Sequence, residues 1–239
     1  KIMKTYRVLG LLMTYPTSEV QVRMDELKEA LAADGLLSSR KLAKLNAFMD
    51  GLAASDLIDA QENYVGLFDR GRGHSLYLFE HIHGESRDRG PAMVDLSESY
   101  KDHGFEAAAG ELPDYIPLFM EFLSLLQPDE AQEYLNEVIH IFATIGVKLL
   151  DKGSDYHVIF DAVQSLASTK VSPEVLAQAL EESQAADESF EALDKEWEEK
   201  PAFTGDPTQD MDADCGSCGL ANGQSLQQPH SPTQNPTQV

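Results

Sequence analysis

Between Tyr64 and Pro113 the sequence gathers the residue types that could do chemistry. Arg70-Gly71-Arg72-Gly73 joins arginine forks, which match phosphate oxygens, to glycines that let a backbone approach a ligand. The Gly-Lys-Ser/Thr ending of a Walker loop is missing, so a solvated loop with local ion pairs is favoured over an anion site. His74, His81 and His83, with Glu80 and Glu85, are types that ligate zinc. His81 and His83 sit two apart, however, which on a helix points them away from each other, and no second pair at ligand spacing follows. The cluster therefore reads as structural or partner-contacting. Its rival is a helical metal-binding protein or hydrolase built on His74, His81 and His83. Glu111-Leu112-Pro113-Asp114-Tyr115 places two acids at the positive end of a helix that Pro113 could open. An acid beside an aromatic would also suit a basic-aromatic peptide at the mouth of a groove.

Two further patterns carry less. Cys215-Gly-Ser-Cys218 is a single Cys-x-x-Cys without the strand and helix start that thioredoxin chemistry needs, and without two further zinc ligands. It reads as an incidental thiol pair. No Gly-x-Ser-x-Gly elbow and no triad context is visible, which moves the reading away from an enzyme.

The elements that must position these residues are helical throughout. Apolar residues recur at helical spacing in almost every segment, and sustained strand alternation is absent. Tyr6, Leu9 and Met13 mark a first helix, and Tyr15-Pro16 offers no small-residue cleavage site for a secretory signal. Thr17 or Ser18 caps a second helix carrying Val20, Met24, Leu27 and Leu31 to Gly35. Ser38 or Ser39 opens a third and Ser55 a fourth, the latter lining Tyr64, Leu67 and Phe68 on one face. A helix from Arg87 to His103 precedes a strongly apolar one from Pro113, with Ile116, Phe119, Phe122 and Leu126. Helices from Pro128, over 156–167 and over 173–199 complete an all-α, single-domain helical bundle, 1–199. After Pro201, Gly, Pro, Ser, Thr and Gln dominate; so little apolar surface cannot offset ordering entropy, and 200–239 is predicted to be a disordered tail.

The chain has 239 residues and a formal net charge of −23. A domain of roughly 200 residues can bury about 70% of its unfolded surface. The charge excludes nucleic acid as a partner, because the phosphate backbone would be repelled. It is compatible with a basic partner, although plain solubility explains it as well. No apolar stretch reaches the ~20 residues of a membrane-spanning helix. Two cysteines make no disulfide framework, which fits a reducing cytoplasm.

These motifs resemble the signature of the NarJ-type chaperones, assembly factors of respiratory nitrate reductase within the wider class of redox-enzyme maturation proteins. The residues that carry the resemblance are Tyr64 with Leu67-Phe68-Asp69-Arg70-Gly71-Arg72, the stretch Leu78 to Gly90, Ala92-Met93-Val94-Asp95-Leu96, and Glu111-Leu112-Pro113-Asp114. The likeness extends more loosely from the first helix to Trp197-Glu198-Glu199. It implies an all-helical, non-enzymatic domain of the redox-enzyme maturation chaperone type. Such a protein binds the N-terminal leader of the molybdenum-containing catalytic subunit and keeps that subunit open for iron–sulfur cluster and molybdenum cofactor insertion. No cofactor is held permanently, and contact with molybdenum cofactor is transient at most. One departure stands out: the wider family usually shows His after Pro-Asp, where this chain has Tyr115, which cannot carry a positive charge near neutral pH.

The expected site is a peptide groove lined by Tyr64, Leu67, Phe68, Tyr115, Phe119 and Phe122, with Glu80, Glu111 and Asp114 as an acidic rim. Arg70, Arg72, Arg87 and Arg89 form a second expected contact, toward an anion or acids of the client. No residue is assigned to a metal.

Overall fold

The computed structural model describes residues 2–70, 72–84, 86–107 and 110–197, with residue 72 and residues 186–197 described by their backbone only. The chain runs α1 (Lys4–Leu12), α2 (Ser18–Val22), α3 (Met24–Asp34), α4 (Ser39–Ala54) and α5 (Leu57–Phe68). A 3₁₀ turn, Arg72–His74, leads into α6 (Leu78–His83) and α7 (Arg89–Asp102). Then follow α8 (Ile116–Leu125), α9 (Pro128–Asp151), α10 (His157–Gln164) and α11 (Pro173–Trp197). Among the described residues there is no strand, as the helical periodicity implies. Lys1–Leu193 form one compact unit. The expected division at residue 199, the tail beyond it and the Cys215/Cys218 pair lie at or past the end of the described residues.

Local signals set most boundaries. Thr17 and Ser38 cap α2 and α4 through their hydroxyls, and the Asp56 carboxylate accepts from the Ile58 and Asp59 amides at the start of α5. Gly35, with φ 70°, ends α3 in the left-handed region that glycine enters at little cost. Met3, which precedes α1, has no capping side chain. Asp34 supplies the missing acceptor from 29 residues away, receiving both the Thr5 amide and the Thr5 hydroxyl at 2.9 Å.

Some expected elements are redrawn. The single helix expected over 17–35 breaks at Arg23 into α2 and α3. The histidine segment, for which no helix is predicted, contains the short helix α6. Pro113 does not open α8, because its turn is committed elsewhere. Leu78 donates to the Asp114 carbonyl (2.9 Å) and Ile116 to the Leu76 carbonyl (2.8 Å), closing an antiparallel bridge between Tyr77 and Tyr115. With that backbone paired to another segment, the helix begins only at Ile116, with Pro117 in its first turn.

The core is one cluster in which α8 and α9 are the most deeply set. Ile116, Phe119, Met120, Phe122 and Leu123 of α8 and Leu135, Ile139, Phe142 and Ile145 of α9 are at most 2% exposed. α1 packs along α8 at a glycine. A Cβ on Gly10 would stand 2.9 Å from the Met120 Cβ and 3.0 Å from the Pro117 carbonyl oxygen, closer than side chains tolerate. Gly146 plays the same part between α9 and α10, 3.0 Å from the Phe160 Cβ. Among the described residues no helix is long and apolar enough to cross a membrane.

Candidate functional site

The bridge between Tyr77 and Tyr115 builds an aromatic surface. It brings the segment before α6 against the segment before α8, so their rings lie 5.5 Å apart, centroid to centroid. Behind them α5 presents Tyr64 and Phe68, 4.9 Å apart, and the Tyr64 hydroxyl donates to the Met13 carbonyl at 2.9 Å. Tyr15, 45% exposed, meets Tyr64 edge-on at 5.6 Å. Together these rings wall a hollow of about 220 Å³ whose edge carries Asp69 and Glu111.

A second hollow of about 380 Å³ adjoins it, walled by Gly10 and Leu11 of α1 and Pro117 and Leu118 of α8. Tyr115 and Glu111 line both. Burial is the main cause that pushes the Tyr115 and Tyr77 phenols upward, and the carboxylates of Glu111 and Asp69 push the same way. The two rings therefore stay neutral and face a negative edge. An aliphatic hollow beside a tyrosine-lined one, with carboxylates at the margin, can receive apolar and aromatic side chains flanked by cations.

Several expected site residues turn out to sit elsewhere. Phe119 and Phe122 do not line a groove: they are 2% and 0% exposed, and Phe122 is packed by Tyr100 at 4.6 Å and Tyr134 at 5.3 Å. The helical period marked them as apolar but could not say which apolar face of α8 another helix would cover. Asp114 is not a rim residue either, being fully buried. Its Oδ2 accepts from the Phe79 amide at 3.1 Å and lies 3.7 Å from Arg89. Burial raises its pKa above the usual carboxylate range, against the opposing pull of the Phe79 amide and Arg89.

Glu80 is half-buried and paired with Arg89 at 3.4 Å, so it offers little free charge. Arg89 is correspondingly spent on Glu80 and Asp114 rather than presented to an outside anion. Arg70 and Arg87 are exposed, while the side chain of Arg72 lies outside the described residues. Of the groove residues, Tyr64, Phe68 and Tyr115 do gather around one opening, with Glu111 on its edge and Leu67 half-buried on the same helix.

The histidines have separate occupations. His81 donates through Nε2 to the Ser75 carbonyl at 2.8 Å, and burial lowers its pKa. His83 packs edge-on against Phe79 at 5.7 Å, and His74 is buried. Among the described residues no group of three or more His, Cys, Asp or Glu could hold a metal ion.

Sequence reasoning passed over Tyr15, Tyr77, Leu11 and Leu118. Tyr77 reaches the site only through the bridge, a long-range pairing with no local signature. Tyr15 carried a usable signal, an aromatic beside a proline in the turn that ends α1. A larger hollow of about 630 Å³ lies between α4, α5 and the α9–α10 turn, with Phe48, Leu52 and Tyr156 in its wall. It too was invisible in the sequence.

Over residues 16–160 the chain matches the family model described as nitrate reductase delta subunit. It is 40% identical over 193 residues to the nitrate reductase molybdenum cofactor assembly chaperone NarJ of Escherichia coli K12, covering 81% of each chain. It is also 40% identical over 199 residues to a protein of the same strain named as a probable nitrate reductase molybdenum cofactor assembly chaperone, NarW, covering 83% of this chain and 82% of that one. A crystal structure of a candidate redox enzyme maturation protein from Archaeoglobus fulgidus superposes with a TM-score of 0.51, over 69% of this chain and 92% of the other. At 19% identity that likeness speaks for the fold alone.

Proposed function

Because this chain belongs to the nitrate reductase delta subunit family, we propose that it is an assembly chaperone of a nitrate reductase. In this reading it binds the N-terminal leader of the molybdenum-containing catalytic subunit. It keeps that subunit open to iron–sulfur cluster and molybdenum cofactor insertion and delays docking at the membrane. The cytoplasm is the compartment this order of events requires. The cofactor is cargo for the client; the chaperone's own contribution is binding rather than turnover.

The observation that carries the reading is the paired hollow around Tyr115, one chamber aliphatic and the other lined by tyrosine rings and their hydroxyls, with carboxylates at the edge. A leader would lie there as an amphipathic helix, its apolar residues inward and its Lys or Arg beside Glu111 and Asp69. In this reading Tyr64, Phe68, Glu111 and Tyr115 line the site together with Tyr15, Tyr77, Leu11 and Leu118, and Leu67 flanks it on α5. Two or three apolar anchors at about 2 kcal/mol each give about 4–6 kcal/mol before ordering costs, which corresponds to roughly millimolar to tens-of-micromolar affinity from the anchors alone. A complex that must later release suits that range.

Calorimetry of the full chain with a synthetic leader peptide tests this. Tyr115→Ala and Glu111→Lys should each weaken binding about tenfold or more while helix content is retained. Unchanged affinity in both variants would rule out the site.

A further inference from the structure

We propose that the trough measures its client, accepting two large apolar side chains one helical turn apart with a cation between them on the flank. The inference rests on the leader-binding reading above and adds a selection rule to it.

Its basis is the shared wall. The larger hollow is aliphatic, bounded by Leu11, Pro117 and Leu118; the smaller is aromatic, bounded by Tyr15, Tyr64, Phe68 and Tyr77. Among the described residues only Tyr115 and Glu111 belong to both. The partition is thus about one side chain thick, and two groups seated on either side of it stand close together. Residues three or four apart on a helix present Cβ atoms roughly 5–6 Å apart on one face, whereas residues two apart diverge. An i, i+3 or i, i+4 pair can therefore straddle Tyr115, and an i, i+2 pair cannot fill both sides.

The two chambers also differ in what they favour. The phenol-lined one offers ring faces and edges, which reward an aromatic guest by geometry as well as by area. The aliphatic one rewards an unbranched or γ-branched side chain.

Charge fixes the flank. At the far margin of the larger hollow Glu121 is paired with Arg7 at 3.2 Å, so its charge is largely answered. Glu111 is exposed on the partition itself, next to the ring of Tyr115. A client Lys or Arg positioned within the same turn as the two anchors would meet that carboxylate and the ring together.

The experiment is calorimetry of the full chain against a leader peptide and three relatives of equal length and helicity. In one relative the anchors are moved to i, i+2; in the others the flanking cation is reversed to Glu, or moved to the opposite helix face. Moving the anchors should weaken binding about ten- to hundredfold. Tyr115→Ala, which merges the chambers, should lower affinity for the parent leader yet remove most of the difference between i, i+4 and i, i+2 peptides. Glu111→Lys should bind the parent poorly and recover affinity for the peptide carrying the reversed charge. If the parent binds but spacing makes no difference, or charge reversal gives no recovery, the selection rule is wrong while leader binding stands. If no leader binds the parent chain at all, both the rule and the function it refines fall.

Discussion

Two aromatic clusters meet at the start of α8, and they differ in what they do with water. In the first, Phe122 is enclosed by Tyr100, Phe105 and Tyr134, and the Tyr100 hydroxyl is spent on the Pro113 carbonyl at 2.7 Å. Phe122 and Tyr100 are 0% and 1% exposed. In the second, Tyr15, Tyr77 and Tyr115 keep part of their rings at the surface around a hollow, over a floor of Tyr64 and Phe68. Composition alone makes the clusters alike. The difference comes from coverage: α7 and α9 close over the first, and nothing among the described residues fills the second. The turn 113–115 serves both, its Pro113 carbonyl holding Tyr100 and its Tyr115 ring dividing the open trough.

The largest effect is expected in the sealed cluster. Phe122→Ala should destabilise the fold by about 3–5 kcal/mol through lost burial and an unfilled cavity, read as a lower urea midpoint. Leader affinity of the folded fraction should stay within about twofold. A selective loss of affinity at unchanged stability would mean that Phe122 faces the client after all.

A smaller effect is expected at the junction. Tyr100→Phe keeps the ring and leaves the half-buried Pro113 carbonyl without its donor, costing about 1 kcal/mol. If the turn truly couples the clusters, leader affinity should fall slightly as well, which calorimetry would detect.

The smallest effect sharpens the role of the turn through pH. Burial raises the Asp114 pKa in the folded chain above its ordinary value of 3.8. The native state therefore holds a proton that the unfolded state has released over the window between the two values. Stability from this group rises as pH falls through the folded value toward 3.8 and is lost as pH rises through it. Asp114→Asn lacks this response. The parent should gain on the variant during mild acidification in paired denaturant titrations, and a constant gap would refute the assignment.

Much of this architecture was legible because its causes are local. Thr17, Ser38 and Pro128 announce helix starts, Gly35 a helix end, and the 3.6 period of α9 its inward face. The site was legible in part. Tyr64 and Phe68 share a face of α5 by spacing alone, and Glu111 and Tyr115 stood out by type. Asp114 was misjudged because a carboxylate is expected outside, and its burial follows from the backbone pairing of 76–78 with 114–116. Phe119 and Phe122 were misjudged for the complementary reason: periodicity reports apolar character, and coverage is decided by helices far away in the chain.

Gly10 has a consequence beyond packing. Because nothing larger than hydrogen fits between α1 and the Met120–Pro117 stretch of α8, the width of the aliphatic chamber is set by a residue with no side chain to offer a guest. A bulkier residue there would act as a wedge, spreading Leu11 from Leu118 and enlarging the opening without altering its chemistry. The size of this chamber is therefore held at one backbone contact rather than by the side chains that line it.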